Sequence, residues 1–333
     1  MNKVFRRSEK DERGQRLWLM GKALPALPPA DGTPDWVQAN PRFIERASQA
    51  AQSRSGGGWV VLDASRRITD APRRFDVAGQ EWVVWRDQVG QVNVAPNACP
   101  HMGARLSDGF CEHGKVVCPW HGLALKERRG AWTPMPAHDD GVLVWARLLQ
   151  DEVPSDAPVV PARAAHVLEG TLRVDAKCEP EDVVANRLDP WHGAHYHPHS
   201  FARLRVLDAS EERIDVRVTY RAFGTFGVEV DCTFEAPTRR SIVMTITGGE
   251  GIGSVVETHA TPIATGRCTI IESTLVSSER PGVQNARLLS RIIRPIIEKR
   301  AGKLWVEDIA YAERRYEMRA AQDATRHLKV VGE

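Results

Sequence analysis

Cys99-Pro100-His101-Met102-Gly103-Ala104 and, with 16 residues between His101 and Cys118, Cys118-Pro119-Trp120-His121-Gly122 decide how the first half of this chain is read. Two thiolates and two imidazoles in the order Cys, His, Cys, His can come from two facing loops of a small β domain. Each loop offers one ligand of each kind. That donor set suits a two-iron, two-sulfide cluster in which the cysteines hold one iron and the histidines the other, which raises the reduction potential. Pro100 and Pro119 stiffen the two turns, and Gly103, Gly109, Gly114 and Gly122 let the backbone wrap closely. A structural zinc site usually places a cysteine pair before a histidine pair, and the order here is different. Cys111 and His113, which lie between the two loops, read as a small buried side chain and a loop residue.

Around this motif the chain carries short apolar runs, Trp59-Val60-Val61-Leu62, Trp82-Val83-Val84-Trp85 and Val142-Leu143-Val144-Trp145, punctuated by Gly, Asp and Pro. These predict an all-β domain. Upstream, residues 20–40 are rich in proline and small residues and read as an extended arm; downstream, Asp151 to Pro161 holds three prolines and reads as a linker. The expected division is an arm at 1–40, a cluster domain at 41–150, a linker at 151–161 and a second domain at 162–333. A length of 333 residues accommodates two domains of ordinary size.

The 45 basic and 43 acidic side chains leave a net charge of +2, so no global field draws the chain to nucleic acid. No apolar run is long enough to span a membrane, and residues 1–16 are charged rather than signal-like. Six cysteines are too few for a disulfide scaffold in a chain of this size, and their spacing points to reduced, metal-binding use in the cytoplasm.

Beyond the linker, residues alternate with period two: Leu172, Val174, Ala176 and Cys178; Ile214, Val216, Val218 and Tyr220; Val228, Val230, Cys232 and Phe234. These predict half-buried antiparallel strands, with more at 241–247, 254–261 and 267–277. Val283 to Arg319 carries helical spacing, interrupted by Pro295 and Gly302. Between the first and second strands, Glu179-Pro180-Glu181-Asp182 is a helix-start signal. After it come four of the 11 histidines, His192, His195, His197 and His199, too dense a cluster for chance core filling.

Residues 95–136 resemble the Rieske domain of bacterial Rieske-type oxygenases on the two ligand loops quoted above, departing at Gly122-Leu123, where such oxygenases often carry Gly-Trp. The segment Asn186-Arg187-Leu188-Asp189-Pro190-Trp191-His192-Gly193-Ala194-His195-Tyr196-His197 resembles the same family's mononuclear iron motif, N-x-x-D-x-x-H-x-x-x-x-H. The resemblance implies an α+β chain: an all-β Rieske domain, then a helix-grip (START-like) domain with an antiparallel sheet and a long C-terminal helix. It implies a 2Fe-2S cluster on Cys99, His101, Cys118 and His121, and a mononuclear non-heme iron on His192, His197 and a late carboxylate. Within Lys303-Leu304-Trp305-Val306-Glu307-Asp308-Ile309 that carboxylate is taken as Asp308, with Glu307 as the neighbour that could serve instead; an ordinary surface acid is the plain alternative. Asp189 takes the family's bridging role between a mononuclear-site histidine and His121 of a neighbouring subunit, against the plain reading of a turn cap before proline.

One geometric objection stands against this assignment. Residues five apart on an ideal α-helix point about 140° away from each other, so His192 and His197 require a π-bulge or a helix end near Gly193. The family further implies molecular oxygen as co-substrate, a ferredoxin or NAD(P)H-dependent reductase as electron donor, a homotrimer, and an apolar substrate in a cavity between sheet and helix. Val228, Val230, Phe234, Met244 and Ile246 are candidate lining residues. Pro136-Ala137-His138-Asp139-Asp140-Gly141 and the histidine segment also resemble a subgroup associated with carotenoid gene neighbourhoods, which implies a long isoprenoid. The alternative readings are an electron-transfer or ligand-binding protein without oxygen chemistry, and a zinc-stabilised module.

Overall fold

The computed structural model describes residues 5–10, 16–20, 40–165, 167–223, 226–277 and 290–331. The chain is α+β, as the sequence implies. At its start β1 (Phe5–Lys10) and β2 (Arg16–Met20) pair as an antiparallel hairpin, so the expected arm contains regular structure; its residues 21–39 lie outside the described residues. Helix α1 (Pro41–Gln52) follows, started by Asn40, whose side chain accepts a hydrogen bond from the Arg42 amide, and by proline in the first turn.

The cluster domain consists of three small sheets. β3 (Trp59–Ala64) pairs with β11 (Leu143–Arg147), which pairs with β10 (Ala137–Asp139); β4 (Arg73–Val77), β5 (Gln80–Arg86) and β6 (Val92–Pro96) form a meander; β7 (Phe110–Glu112), β8 (Lys115–Val117) and β9 (Ala124–Leu125) form another. Strand β5 presents Trp82 and Val84 to one buried cluster and Val83 and Trp85 to the other. That two-sided burial is why its sequence reads as a continuous apolar run. Cys111 sits on β7 and is half-buried rather than fully buried.

In the second domain β12 (Leu168–Ala176) leads into α2 (Pro180–Arg187) and the five-residue α3 (His192–Tyr196), then β13 (Phe201–Ala209), β14 (Arg213–Phe223), β15 (Phe226–Thr238), β16 (Ser241–Gly249), β17 (Val255–Ala264) and β18 (Arg267–Val276). Among the described residues the sheet has nine strands: β13 to β18 pair in sequence, β12 closes on β18, and β2 adds in parallel at the start of β15. Ile214, Val216 and Val218 all point into one core with Ala47 and Ala51 of α1, Val184 of α2 and Leu188 at the end of α2. Cys178 falls two residues beyond β12, not on a strand, and its sulfur lies 3.8 Å from that of Cys268.

The last element, α4 (Ser290–Val331), runs through both Pro295 and Gly302, so neither interrupts it; its expected first residues, 283–289, lie outside the described residues. Buried Trp305 and Ala312 pack it against β12, β17 and β18. The α2 start matches its sequence signal, since Glu179 and Asp182 form a reciprocal capping box. Asp182, fully buried, also receives Arg315 and Arg319 from α4, which ties the two helices together.

Candidate metal centres and cavity

Two loops of the cluster domain share one backbone design. In each, the cysteine amide donates to the carbonyl five residues on (Cys99 to Ala104, 2.8 Å; Cys118 to Leu123, 2.9 Å), and a glycine four residues on donates back to the cysteine carbonyl (Gly103, 2.8 Å; Gly122, 3.0 Å). Gly103 and Gly122 have φ of 76° and 70°, the left-handed region that a glycine enters without strain. The loops bury both cysteines and leave both histidines exposed. His101 Nδ1 and His121 Nδ1 come within 3.2 Å of each other. Burial pushes the Cys99 thiol up; for Cys118 burial is outweighed by the amides of Trp120 and His121, which hold it below the usual range. Two buried sulfurs supported by backbone N–H groups and two convergent imidazole nitrogens, on two loops of one design, are a donor set that fits a mixed cysteine and histidine iron–sulfur cluster.

The second constellation joins α3 to α4 across the domain. Ligand atoms of His192, His197 and Asp308 all lie within 4.8 Å of one another. Asp308 Oδ1 is 3.2 Å from His192 Nε2 and 2.9 Å from His197 Nε2, and it accepts from Asn186 Nδ2 at 3.1 Å. The outward nitrogens are held too. His192 Nδ1 bonds the Asp189 carbonyl, and His197 Nδ1 lies 2.6 Å from Glu307 Oε2. Both imidazoles therefore turn Nε2 inward, the orientation that a backbone or carboxylate acceptor on the other nitrogen imposes. Glu307 reaches the site through the far side of His197, while its neighbour Asp308 faces both histidines. His195 is exposed, and half-buried His199 lies 3.7 Å from Glu307.

The helix objection is resolved by chain termination. Helix α3 passes through Gly193 and ends at Tyr196, and His197 caps it at φ −116°, ψ 51°, outside helical geometry. The end falls later than expected, with no π-bulge. Gly193 sits close to β13, where a Cβ would meet the Leu204 side chain at 3.1 Å and press it back by a few tenths of an ångström.

Although burial works to raise the pKa of Asp308, hydrogen bonds from His192 and His197 and the nearby Arg187 charge hold its carboxyl well below the usual range. His197 moves the opposite way: burial disfavours its charge, but Asp308 and Glu307 together keep its pKa above the ordinary value. Asp189 is pushed up by burial, only partly offset by His192 and Tyr311. Its Oδ2 accepts from Tyr311 Oη at 3.2 Å, while its buried Oδ1 has no hydrogen-bond partner among the described residues. No hydrogen bond joins Asp189 to His121 among the described residues of one chain.

No sequence signal points to the next layer. Arg187 pairs with Glu272 of β18, sits 4.5 Å above the Trp305 ring and lies 3.6 Å from Asp308 Oδ2. Trp305 Nε1 donates to Glu272 at 2.9 Å. Beside this layer opens a cavity of about 720 Å³ bounded by the triad and by Phe201, Leu204, Val218, Phe234, Met244 and Ile246. Three expected lining residues, Phe234, Met244 and Ile246, do line it; Val230 and Val228 belong instead to the packed core between sheet and helices.

A Rieske [2Fe-2S] domain profile matches residues 58–154, and the profile of a domain of unknown function, DUF5914, matches residues 149–323. Curated relatives include aminopyrrolnitrin oxygenase PrnD of Pseudomonas fluorescens, 32% identical over 105 residues (32% of this chain, 29% of that protein). The oxygenase component of 3-ketosteroid-9-alpha-monooxygenase of Rhodococcus rhodochrous is 36% identical over 78 residues, covering 23% of this chain and 20% of that protein. The matched stretches thus span less than a third of either relative.

Among solved structures, dicamba monooxygenase bound to dicamba has a TM-score of 0.61 at 16% identity, covering 81% of this chain and 90% of the other. The terminal oxygenase of carbazole 1,9a-dioxygenase from Novosphingobium sp. KA1 has a TM-score of 0.57 at 15% identity, covering 86% and 90%. A carbazole 1,9a-dioxygenase oxygenase solved with its ferredoxin has a TM-score of 0.51 at 14% identity, covering 85% and 87%. Fold and domain order are those of Rieske non-heme iron oxygenase α subunits. The chain belongs to the DUF5914 family, whose profile covers more than half of it.

Proposed function

We propose that this protein is the oxygenase component of a Rieske system, a monooxygenase or dioxygenase that oxidises an apolar organic substrate. Cys99, His101, Cys118 and His121 hold a 2Fe-2S cluster, and His192, His197 and Asp308 hold a mononuclear iron. The observation that carries the reading is the convergence of two imidazole Nε2 atoms and one carboxylate oxygen on the wall of a largely apolar cavity. Two histidines and one carboxylate on one face of a metal leave positions open, and an iron so held supplies oxygen activation. The chain's own residues set the conditions. Asn186 and Arg187 orient Asp308, Glu307 and the Asp189 carbonyl fix the imidazole tautomers, and the apolar walls exclude water from the substrate.

Asp189 meets His121 of a second copy in a head-to-tail ring, a homotrimer. What supports this is the buried Oδ1 of Asp189, without a hydrogen-bond partner among the described residues, together with the exposed ring of His121. A ferredoxin or an NAD(P)H-dependent reductase is the electron donor, as the ferredoxin complex of the carbazole system suggests by analogy, and the protein acts in the cytoplasm. Among the described residues no helix is long and apolar enough to cross a membrane. A neutral, extended substrate such as an isoprenoid suits a cavity of this volume and lining.

The test is anaerobic reduction of the iron-loaded protein followed by oxygen exposure with candidate apolar compounds, reading products by mass. Oxygen incorporation supports the assignment. Reoxidation of the cluster without coupled product from any of them leaves an electron carrier.

A further inference from the structure

The near-neutral global charge hides a local asymmetry on α4. Ile292, Ile296, Lys299, Lys303 and Val306 recur at intervals of four and three residues, so they form one stripe along about 21 Å of helix. All five are exposed, with Ile292 at 65%, Ile296 at 54% and Val306 at 73%. Arg291 is exposed beside them. Two acids occur within 290–307, and neither counters the stripe: Glu298 is engaged by Arg66 and Arg67, and Glu307 by His197. Among the described residues Arg291, Lys299 and Lys303 form no ion pair. Lys303 also lines the cavity, so the stripe runs along the cavity's edge.

We propose that this face of α4 is a docking surface for an anionic lipid bilayer. Large aliphatic side chains at both ends of a lysine pair, on a face whose neighbouring acids Glu298 and Glu307 are engaged elsewhere, have the composition of a helix lying in a membrane interface: the isoleucines and valine enter the acyl boundary while the lysine stems carry their ammonium groups to the headgroups. A second copy of this chain is the poorer occupant, because pairing the face with itself brings Arg291, Lys299 and Lys303 against their own counterparts. Docking here sets the cavity edge at the lipid surface, where an apolar compound is dissolved. The binding itself does not depend on the oxygenase reading, and its test uses no turnover.

The experiment is co-sedimentation of the full chain with vesicles of phosphatidylcholine alone and of phosphatidylcholine with phosphatidylglycerol. The wild type is expected to bind the anionic vesicles at low salt and to be released as salt screens the attraction. Each cation near such a surface contributes about fivefold in partitioning, so Arg291→Glu with Lys299→Glu should weaken binding by about twentyfold or more. Ile292→Ser with Ile296→Ser should also release the protein, with unchanged circular dichroism and cluster absorbance showing that both variants fold. A wild type that stays soluble beside anionic vesicles, or variants that bind like it, overturns the proposal. So does a vesicle-free oligomer that the Ile292→Ser and Ile296→Ser changes dissolve, since the face would then belong to a second copy.

Discussion

Asp308 Oδ1 lies 2.9 Å from His197 Nε2, and the adjacent Glu307 grips the opposite nitrogen of the same ring at 2.6 Å. Successive carboxylates of one helix therefore hold a single imidazole from both sides, one as a proposed iron ligand and the other as its orienting partner. Asp308→Ala should lower metal content by about one iron per chain and abolish product while leaving the cluster's absorbance intact. Glu307→Gln should retain a site with iron affinity reduced about 10-fold to 100-fold, the usual cost of losing a hydrogen-bond partner behind a ligand. Equal iron loss in both variants would mean that the two acids share the ligand role.

The same pair gives the metal-free protein a pH signature. His197 has a folded pKa above its ordinary value, so its contribution to stability is fully present below about pH 6.5 and is lost as pH rises through the raised value. Asp308 has a lowered pKa, so its contribution is present above about pH 4 and is lost as pH falls through the folded value. The metal-free protein should gain most from this pair between those limits, read as a maximum in melting temperature that Asp308→Ala flattens. Iron competes with the proton on His197, so binding should release protons and strengthen as pH rises above 6.5, measured by titration in buffers of different ionisation heat.

What was legible in the sequence was local. The cluster loops declare themselves because each pairs a cysteine with a histidine two or three residues away, and the iron motif because Asn186, Asp189, His192 and His197 share one turn-rich segment. Asp308 stands 111 residues from His197, and only the packing of α4 on the sheet joins them, so spacing could suggest it but not place it. Asn40-Pro41 did carry a helix-start signal for α1, an N-cap residue followed by proline, that a reading centred on apolar runs passes over. Arg187 and Glu272 carry no signal at all: alone, each is an ordinary charged residue, and their partnership exists only when β18 lies under α2.

That partnership should dominate the stability of the site. Arg187 faces Glu272 and Asp308 together, two acids that would be left uncompensated in a buried setting without it. Arg187→Met is expected to cost about 3–5 kcal/mol in denaturant unfolding of the metal-free protein. Adding Glu272→Leu should recover much of the loss, because a buried pair replaced on both sides by apolar groups is often close to neutral. A double variant no more stable than Arg187→Met would show that the arginine acts mainly through Asp308.

The last prediction concerns electron delivery between copies. Asp189 keeps one oxygen on Tyr311 and near His192 while the other, buried, has no hydrogen-bond partner among the described residues, and its carboxyl is held above the usual range by burial. Asp189→Asn preserves the shape, the Tyr311 contact and the backbone carbonyl that holds His192, but removes the anion proposed to accept from the His121 imidazole of a neighbouring copy. Both metals should still load, and the donor should still reduce the cluster at the wild-type rate. Transfer onward should slow by about 10-fold to 100-fold, seen as a cluster that stays reduced when oxygen and substrate are mixed in, since that is the usual cost of a hydrogen-bonded link lost at a metal histidine. Mixing Asp189→Asn chains with His121→Ala chains makes the distinction sharper: in a ring, some boundaries then combine an intact Asp189 with an intact His121, so partial turnover returns, whereas transfer within one chain gives none.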